Sequence, residues 1–135
     1  IKLIEEENGL FIAKDGESVV AYAMTASWSF WSGWPIFAFM IGNLANFQYA
    51  GETLTIENSY QYGPVCVDKA YRGSGVVKRL FEFSHDIMSK RFRILITFIN
   101  KKNPRSFHAH TTKIGLDVIG EFEFNGNSYF ELAYK

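Results

Sequence analysis

The chain has 135 residues, 14 basic and 14 acidic side chains for a net charge of zero, and an aromatic share of 17%. That length suits one core, so one domain is expected over residues 1–135, and the neutral balance carries no electrostatic footprint for nucleic acid. The one cysteine, Cys66, excludes an internal disulfide and any multi-cysteine metal site. No apolar run approaches the ~20 residues of a membrane span and no secretory signal is present, so a reduced, cytoplasmic setting without a membrane partner is expected.

In chain order, Ile1 to Glu7 reads as the tail of a helix stopped at Asn8-Gly9. The opening residue is Ile1, and that tail suggests a chain whose beginning lies upstream. Leu10 to Ala13 and Ser18 to Ala26 are extended runs around an Asp15-Gly16 turn, a predicted hairpin. Trp28 to Gly51 is an aromatic-rich insertion. Pro35 suits a first helical position, and Ile36, Phe37, Met40, Leu44 and Phe47 share one face, which predicts a helix over residues 35–47. The segment either covers the sheet or forms an apolar wall, for an acceptor pocket or for a contact between two copies in a homodimer.

Tyr60 to Asp68 is the next predicted strand. Pro64 lies inside it and cannot donate to a ladder, so the strand is expected to be bulged or unpaired there. Alternation puts Tyr60 and Tyr62 on one face and Gln61 on the other. The strand runs into Arg72-Gly73-Ser74-Gly75, and Val76, Val77, Leu80, Phe81, Ser84, Ile87 and Met88 then recur at helical spacing. A glycine turn opening a helix is suited to anions. The first N–H groups lack partners, the dipole favours negative charge, and glycine lets a phosphate approach the backbone. Arg72 adds a fixed positive fork. No Lys-Ser/Thr pair follows, so the turn is not a P-loop, and the third glycine of a dinucleotide fingerprint is missing.

Arg93 to Ile99 has the composition of a buried strand. Asn103-Pro104 joins an N-cap to a first-position proline, and the helix it opens is expected to end at Gly115. Asp117 to Phe124 and Asn127 to Tyr134 flank Asn125-Gly126, a strong hairpin signal.

The stretch from Val65 to Leu80 resembles the acyl-CoA-binding signature of the GNAT superfamily of N-acyltransferases, Arg/Gln-x-x-Gly-x-Gly/Ala between a strand and a long helix. Arg72, Gly75 and Val77 fill its positions, with Val77 in place of the usual small residue. Val67 and Tyr71 also match, and Lys69 stands where a proline is common. Asn103, Ser106, Lys113, Gly115 and Leu116 resemble the family's later helix, although its spacing from Asn to Gly is often one residue shorter. The resemblance covers residues 8 to 134.

The resemblance implies an α/β fold whose mixed, largely antiparallel central sheet splays between its fourth and fifth strands, with helices on its faces. The family's first strand and most of its first helical pair have no counterpart in this chain. It implies acetyl-CoA as co-substrate, no metal, and transfer of the acetyl group to a small-molecule or peptide amine by direct attack. Expected CoA contacts are Val65, Cys66, Val67, Arg72, Gly73, Ser74, Gly75, Val76, Val77, Asn103 and Ser106, with a backbone N–H near Val67 meeting the oxyanion. The family often places a thiolate-protonating Tyr seven residues after the helix-opening Asn, and here that position is His110. A histidine can donate a proton near neutral pH; the other reading is a half-exposed histidine with no role. Glu57, Tyr60 and Tyr62 are the candidates for relaying the amine's proton. Cys66, mid-strand among valines, reads as packing. The alternative function is a catalytically inactive CoA-binding or protein-interaction module on the same fold.

Overall fold

A computed structural model describes residues 7–135; the helix tail expected at the start lies outside the described residues. The first hairpin pairs β1 (Leu10–Asp15) with β2 (Ser18–Ser27), turning through Gly16 at φ +62°. Strand β2 runs straight into a four-residue helix, α1 (Trp28–Trp31), which the sequence reading missed. Its signal was Ser27, whose hydroxyl caps the helix by accepting from Phe30 N–H at 3.3 Å. Helix α2 (Pro35–Asn43) begins on the proline as expected but stops short of residue 47, giving way to a 3-10 turn over Leu44–Asn46 and a two-stranded ribbon, β3 (Gln48–Tyr49) with β4 (Glu52–Thr53).

The rest alternates strand and helix: β5 (Ser59–Val67), α3 (Val76–Met88), β6 (Ile94–Asn100), α4 (Pro104–His108, continued by a π-turn over Ala109–Ile114), β7 (Asp117–Phe124) and β8 (Asn127–Tyr134). Six strands form one sheet in the order β1-β2-β5-β6-β8-β7, antiparallel at every junction except β5–β6. The π-turn has a physical reason. The span from Asn103 to Gly115 holds one residue more than is often found in the family it resembles, and a π-turn widens a helix to take an extra residue without ending it. Gly115, at φ +101°, then closes it.

Each face of the sheet carries its own core. On one face Phe11, Ala23, Tyr60, Tyr62, Leu95 and Leu132 pack against Leu80, Phe81 and Met88 of α3. On the other, Ala26, Ile94, Ile96, Phe122 and Ala133 lie under Trp28, Trp31, Phe37 and Met40 of α1 and α2. The Trp28 indole is fully buried and donates to Ser59 Oγ at 3.0 Å, tying α1 to β5. Packing is close at β7, where a Cβ on Gly120 would fall 2.3 Å from the Phe47 ring.

The feature that shapes the site is the parting of β5 from β6. Their parallel pairing spans only Ser59, Gln61 and the residue between, against Ile94 to Ile96. Beyond it β5 follows β2, and the register shifts between Ala23 and Thr25, opposite Gly63 and Pro64. The Gly63–Pro64 peptide is cis. The register shift is the bulge expected at Pro64, and a gap opens between β5 and β6.

Candidate active site

Two cavities meet in that gap. The first, of about 640 Å³, lies between the end of β5, the glycine turn and α4. Val65, Cys66, Val67, Arg72, Gly73, Val77, Asn103 and Ser106 all border it, so most of the expected contacts converge. Among the described residues its wall also carries Arg105, His108 and Lys113 and no carboxylate, a local positive charge that the neutral composition of the whole chain conceals. Arg105 carried no motif signal; its place follows from the helix that Asn103 starts.

The glycine turn is built for close approach. Gly73 and Gly75 take φ of +80° and +87°, where a side chain is strained, and a Cβ at either would meet nothing within 4 Å. No side chain caps α3 and no acidic residue sits in its first turn. The first backbone bond across the junction is Arg79 N–H to Gly75 O at 3.2 Å, so the free N–H groups of the first turn keep their positive end of the helix dipole. Gly75 and Val76 border a smaller cavity of about 70 Å³ beside Lys78 and Lys113. Ser74 does not join the other expected contacts: its hydroxyl donates to Tyr71 O, and it borders the groove between β1 and α3.

The second cavity, of about 580 Å³, lies on the aromatic face. Trp31, Trp34, Ile36 and Phe37 wall it on one side, Phe98 and Ile99 on another, and Gly63, Pro64 and Val65 close it at the strand gap. The aromatic insertion thus borders the opening at Pro64. Val65, Ser106 and His110 border both cavities and form the passage between them.

His110 stands at that passage, 7% exposed. Its Nδ1 lies 2.7 Å from Ser106 O and 3.3 Å from Ser106 Oγ. A carbonyl only accepts, so Nδ1 carries the proton and the neutral ring leaves a lone pair on Nε2. Burial pulls its pKa below the usual histidine value, with the Ser106 carbonyl opposing part of that fall. The sequence expectation gave His110 the part of an acid. In this tautomer, kept neutral by burial, Nε2 is first a proton acceptor.

The other expected proton carriers stand apart from both cavities. Tyr60 and Tyr62 are 1% and 0% exposed, under α3, with hydroxyls that have no partner among the described residues. Burial pushes both phenols far above the ordinary tyrosine value, so neither releases a proton near neutral pH. Tyr62 meets only the edge of the His110 ring, at 6.1 Å between centroids. Glu57 is exposed in the turn before β5 and borders neither cavity. Cys66, read as buried packing, is instead exposed: β5 has left β6 at that point, and the thiol lies beside Tyr22 of β2. The residue that sequence reasoning passed over is Gln61. It is 1% exposed, lies in the wall of the aromatic cavity, and donates from Nε2 to Tyr62 O at 2.9 Å, while its Oε1 has no partner among the described residues.

Comparison with solved structures finds chains of similar fold. The chain aligns with yncA from Salmonella typhimurium, solved with its cofactor acetyl-CoA, at a TM-score of 0.63 over 92% of this chain and 62% of that one, with 14% identity. It aligns with an N-acetyltransferase from Staphylococcus aureus Mu50 at 0.64, over 99% and 70%, with 18% identity. An acetyltransferase of the GNAT family from Streptococcus pneumoniae aligns at 0.59, over 91% and 64%, with 12% identity. The chain has the GNAT fold. It spans about two thirds of the length of these GNAT structures. No family model matches the sequence, and no curated protein is significantly similar to it. Among the described residues, no helix of this GNAT fold is long and apolar enough to cross a membrane.

Proposed function

We propose that the protein is an N-acetyltransferase that moves an acetyl group from acetyl-CoA to an amine held in the aromatic cavity. The observation that carries this reading is the meeting of two unlike cavities at one histidine. One is basic and lies beside an uncapped helix N-terminus; the other is apolar and uncharged. The basic cavity fits an anionic, phosphate-bearing ligand. Arg72, Arg105 and Lys113 offer fixed charge, and the φ and open surroundings of Gly73 and Gly75 admit a diphosphate against free N–H groups. Asn103 and Ser106 border the route from there to the strand gap.

Acetyl-CoA supplies an activated thioester whose acyl carbon gains the C–N bond as the C–S bond breaks. The chain's own residues have three tasks. Strand β5 pairs with β2 along one edge only, so alternate backbone groups between Gly63 and Val67 face the gap and can meet developing negative charge. The amine reacts as the free base, its ammonium proton already lost to solvent; as its nitrogen bonds the acyl carbon, His110 Nε2 takes the second proton from it and passes that proton to the departing sulfur, so the imidazole ends neutral as it began. The aromatic walls exclude water, which would otherwise compete as nucleophile.

Calorimetry with CoA, together with thiol release from acetyl-CoA over a panel of primary amines, tests the reading. CoA binding with amine-dependent thiol release supports it. Binding without turnover for any amine would leave a CoA-binding module, and absence of binding would remove both.

A further inference from the structure

The aromatic cavity has a composition that selects among amines. Among the described residues its lining holds four large aromatic side chains, Trp31, Trp34, Phe37 and Phe98, and no Asp, Glu, Lys or Arg. A polyamine would bring second and third positive charges to a wall without a carboxylate, and an amino acid would bring a carboxylate to a wall without a cation. Burying either unpaired is costly. Flat rings bind an apolar body well, by edge and face contacts with another ring, and their faces also attract a single ammonium. The rings already pack together in this way: Trp31 and Phe37 lie 4.8 Å apart, and Phe37 and Phe98 5.8 Å.

Two buried polar atoms in this wall have no partner among the described residues: Gln61 Oε1 and Trp31 Nε1. Buried polar groups are normally satisfied, and an orphan calls for a reason. The Gln61 Nε2 donates to Tyr62 O at 2.9 Å, which orients the amide and leaves Oε1, itself buried, as an acceptor without a partner among the described residues. Gln61 lies on the strand that carries Val65 to the passage, on the face opposite Tyr60 and Tyr62.

We propose that the acceptor is a primary monoamine with an apolar, preferably aromatic, body, and that Gln61 sets this choice by accepting a hydrogen bond from its amino group. This rests on the transferase reading above and narrows it. The ring of the substrate lies among Trp31, Trp34, Phe37 and Phe98, and its nitrogen points to the passage at His110.

The test compares 2-phenylethylamine with spermidine and with glutamate, by thiol release from acetyl-CoA and, separately, by quenching of tryptophan fluorescence in CoA-free protein. The expected result is quenching by 2-phenylethylamine alone and a kcat/KM for it at least about 10-fold above the other two. Gln61→Leu, close in size, should lower that kcat/KM by roughly 10- to 100-fold, mainly through KM. CoA affinity, which a misfolded variant would lose, should stay unchanged. Turnover that favours spermidine or glutamate overturns this inference and leaves the transferase reading intact. Quenching by 2-phenylethylamine with no thiol release from any amine sinks the transferase reading while the cavity's preference stands. No quenching by 2-phenylethylamine overturns the inference outright, as does a Gln61→Leu protein that keeps both CoA affinity and the amine's KM.

Discussion

Glu131 gives the clearest test of the fold's electrostatics. It sits mid-strand in β8, opposite Phe98 on one side and Gly120 on the other, on the aromatic face of the sheet. It is 1% exposed and neither carboxyl oxygen has a partner among the described residues. Burial alone pushes its pKa from 4.5 to about 7. The folded protein therefore holds a proton there over a pH range in which the unfolded chain has released it, so stability falls as pH rises from 4.5 to 7. Below that window the group costs nothing; above it the loss is complete. Each pKa unit is worth ~1.4 kcal/mol, so the full penalty is about 3 kcal/mol. Glu131→Gln keeps the size of the neutral acid and cannot ionise. Urea unfolding of both proteins at pH 4.5, 6 and 8.5 isolates the group, because other titrations cancel in the difference. The two should agree within about 1 kcal/mol at pH 4.5, with the variant ahead by about 3 kcal/mol at pH 8.5. Parallel stability curves across that range would show that the carboxyl finds a partner or water, and would refute the reasoning.

Three further outcomes bear on the site. Gly75→Asp sets a carboxylate beside the free N–H groups of α3 and should weaken CoA binding at least about 10-fold by calorimetry; a Cβ there meets no neighbour but is strained at φ +87°, so urea unfolding checks that the variant is folded, and an unchanged affinity would move the site elsewhere. Asn103→Ala removes the acceptor of the Ser106 N–H bond at 3.3 Å and should cost ~0.5–2 kcal/mol in urea unfolding; a further loss of CoA affinity in folded protein separates a ligand contact from the cap alone. His110→Gln should lower kcat by roughly 100-fold with CoA affinity intact, and the wild-type pH profile of kcat/KM should rise through a pKa below 6.5 that the variant lacks. A profile that instead falls with rising pH through that group would restore His110 to the acid's part.

The six strands of the main sheet and the starts of α3 and α4 were legible because their signals are local. Asn125-Gly126 fixes a turn without help from the rest of the chain, and Asn103-Pro104 starts a helix on its own chemistry. The glycine turn was legible for the same reason: its N–H groups, glycines and arginine are contiguous. The end of α2, the helix α1 and the π-turn were not, since each answers to packing against the sheet or to one surplus residue in a span of fixed ends. The chemistry divides along the same line. Tyr60 and Tyr62 invite a catalytic reading because a phenol is chemically versatile, while Gln61 between them does not. Period-2 alternation separates the two sides of β5 but says nothing of what covers each. That depends on β6, some thirty residues downstream, and on where it parts from β5. With α3 over one face, the phenols are sealed in a core and lose their acidity. With α1 and α2 over the other, the amide borders a cavity large enough for a substrate. The same strand gap decides Cys66, which loses its cover at the point where Pro64 turns β5 aside. A proline in a strand marks where pairing fails, and in this chain the exposed thiol, the passage at His110 and the meeting of the two cavities all follow from that one failure of pairing.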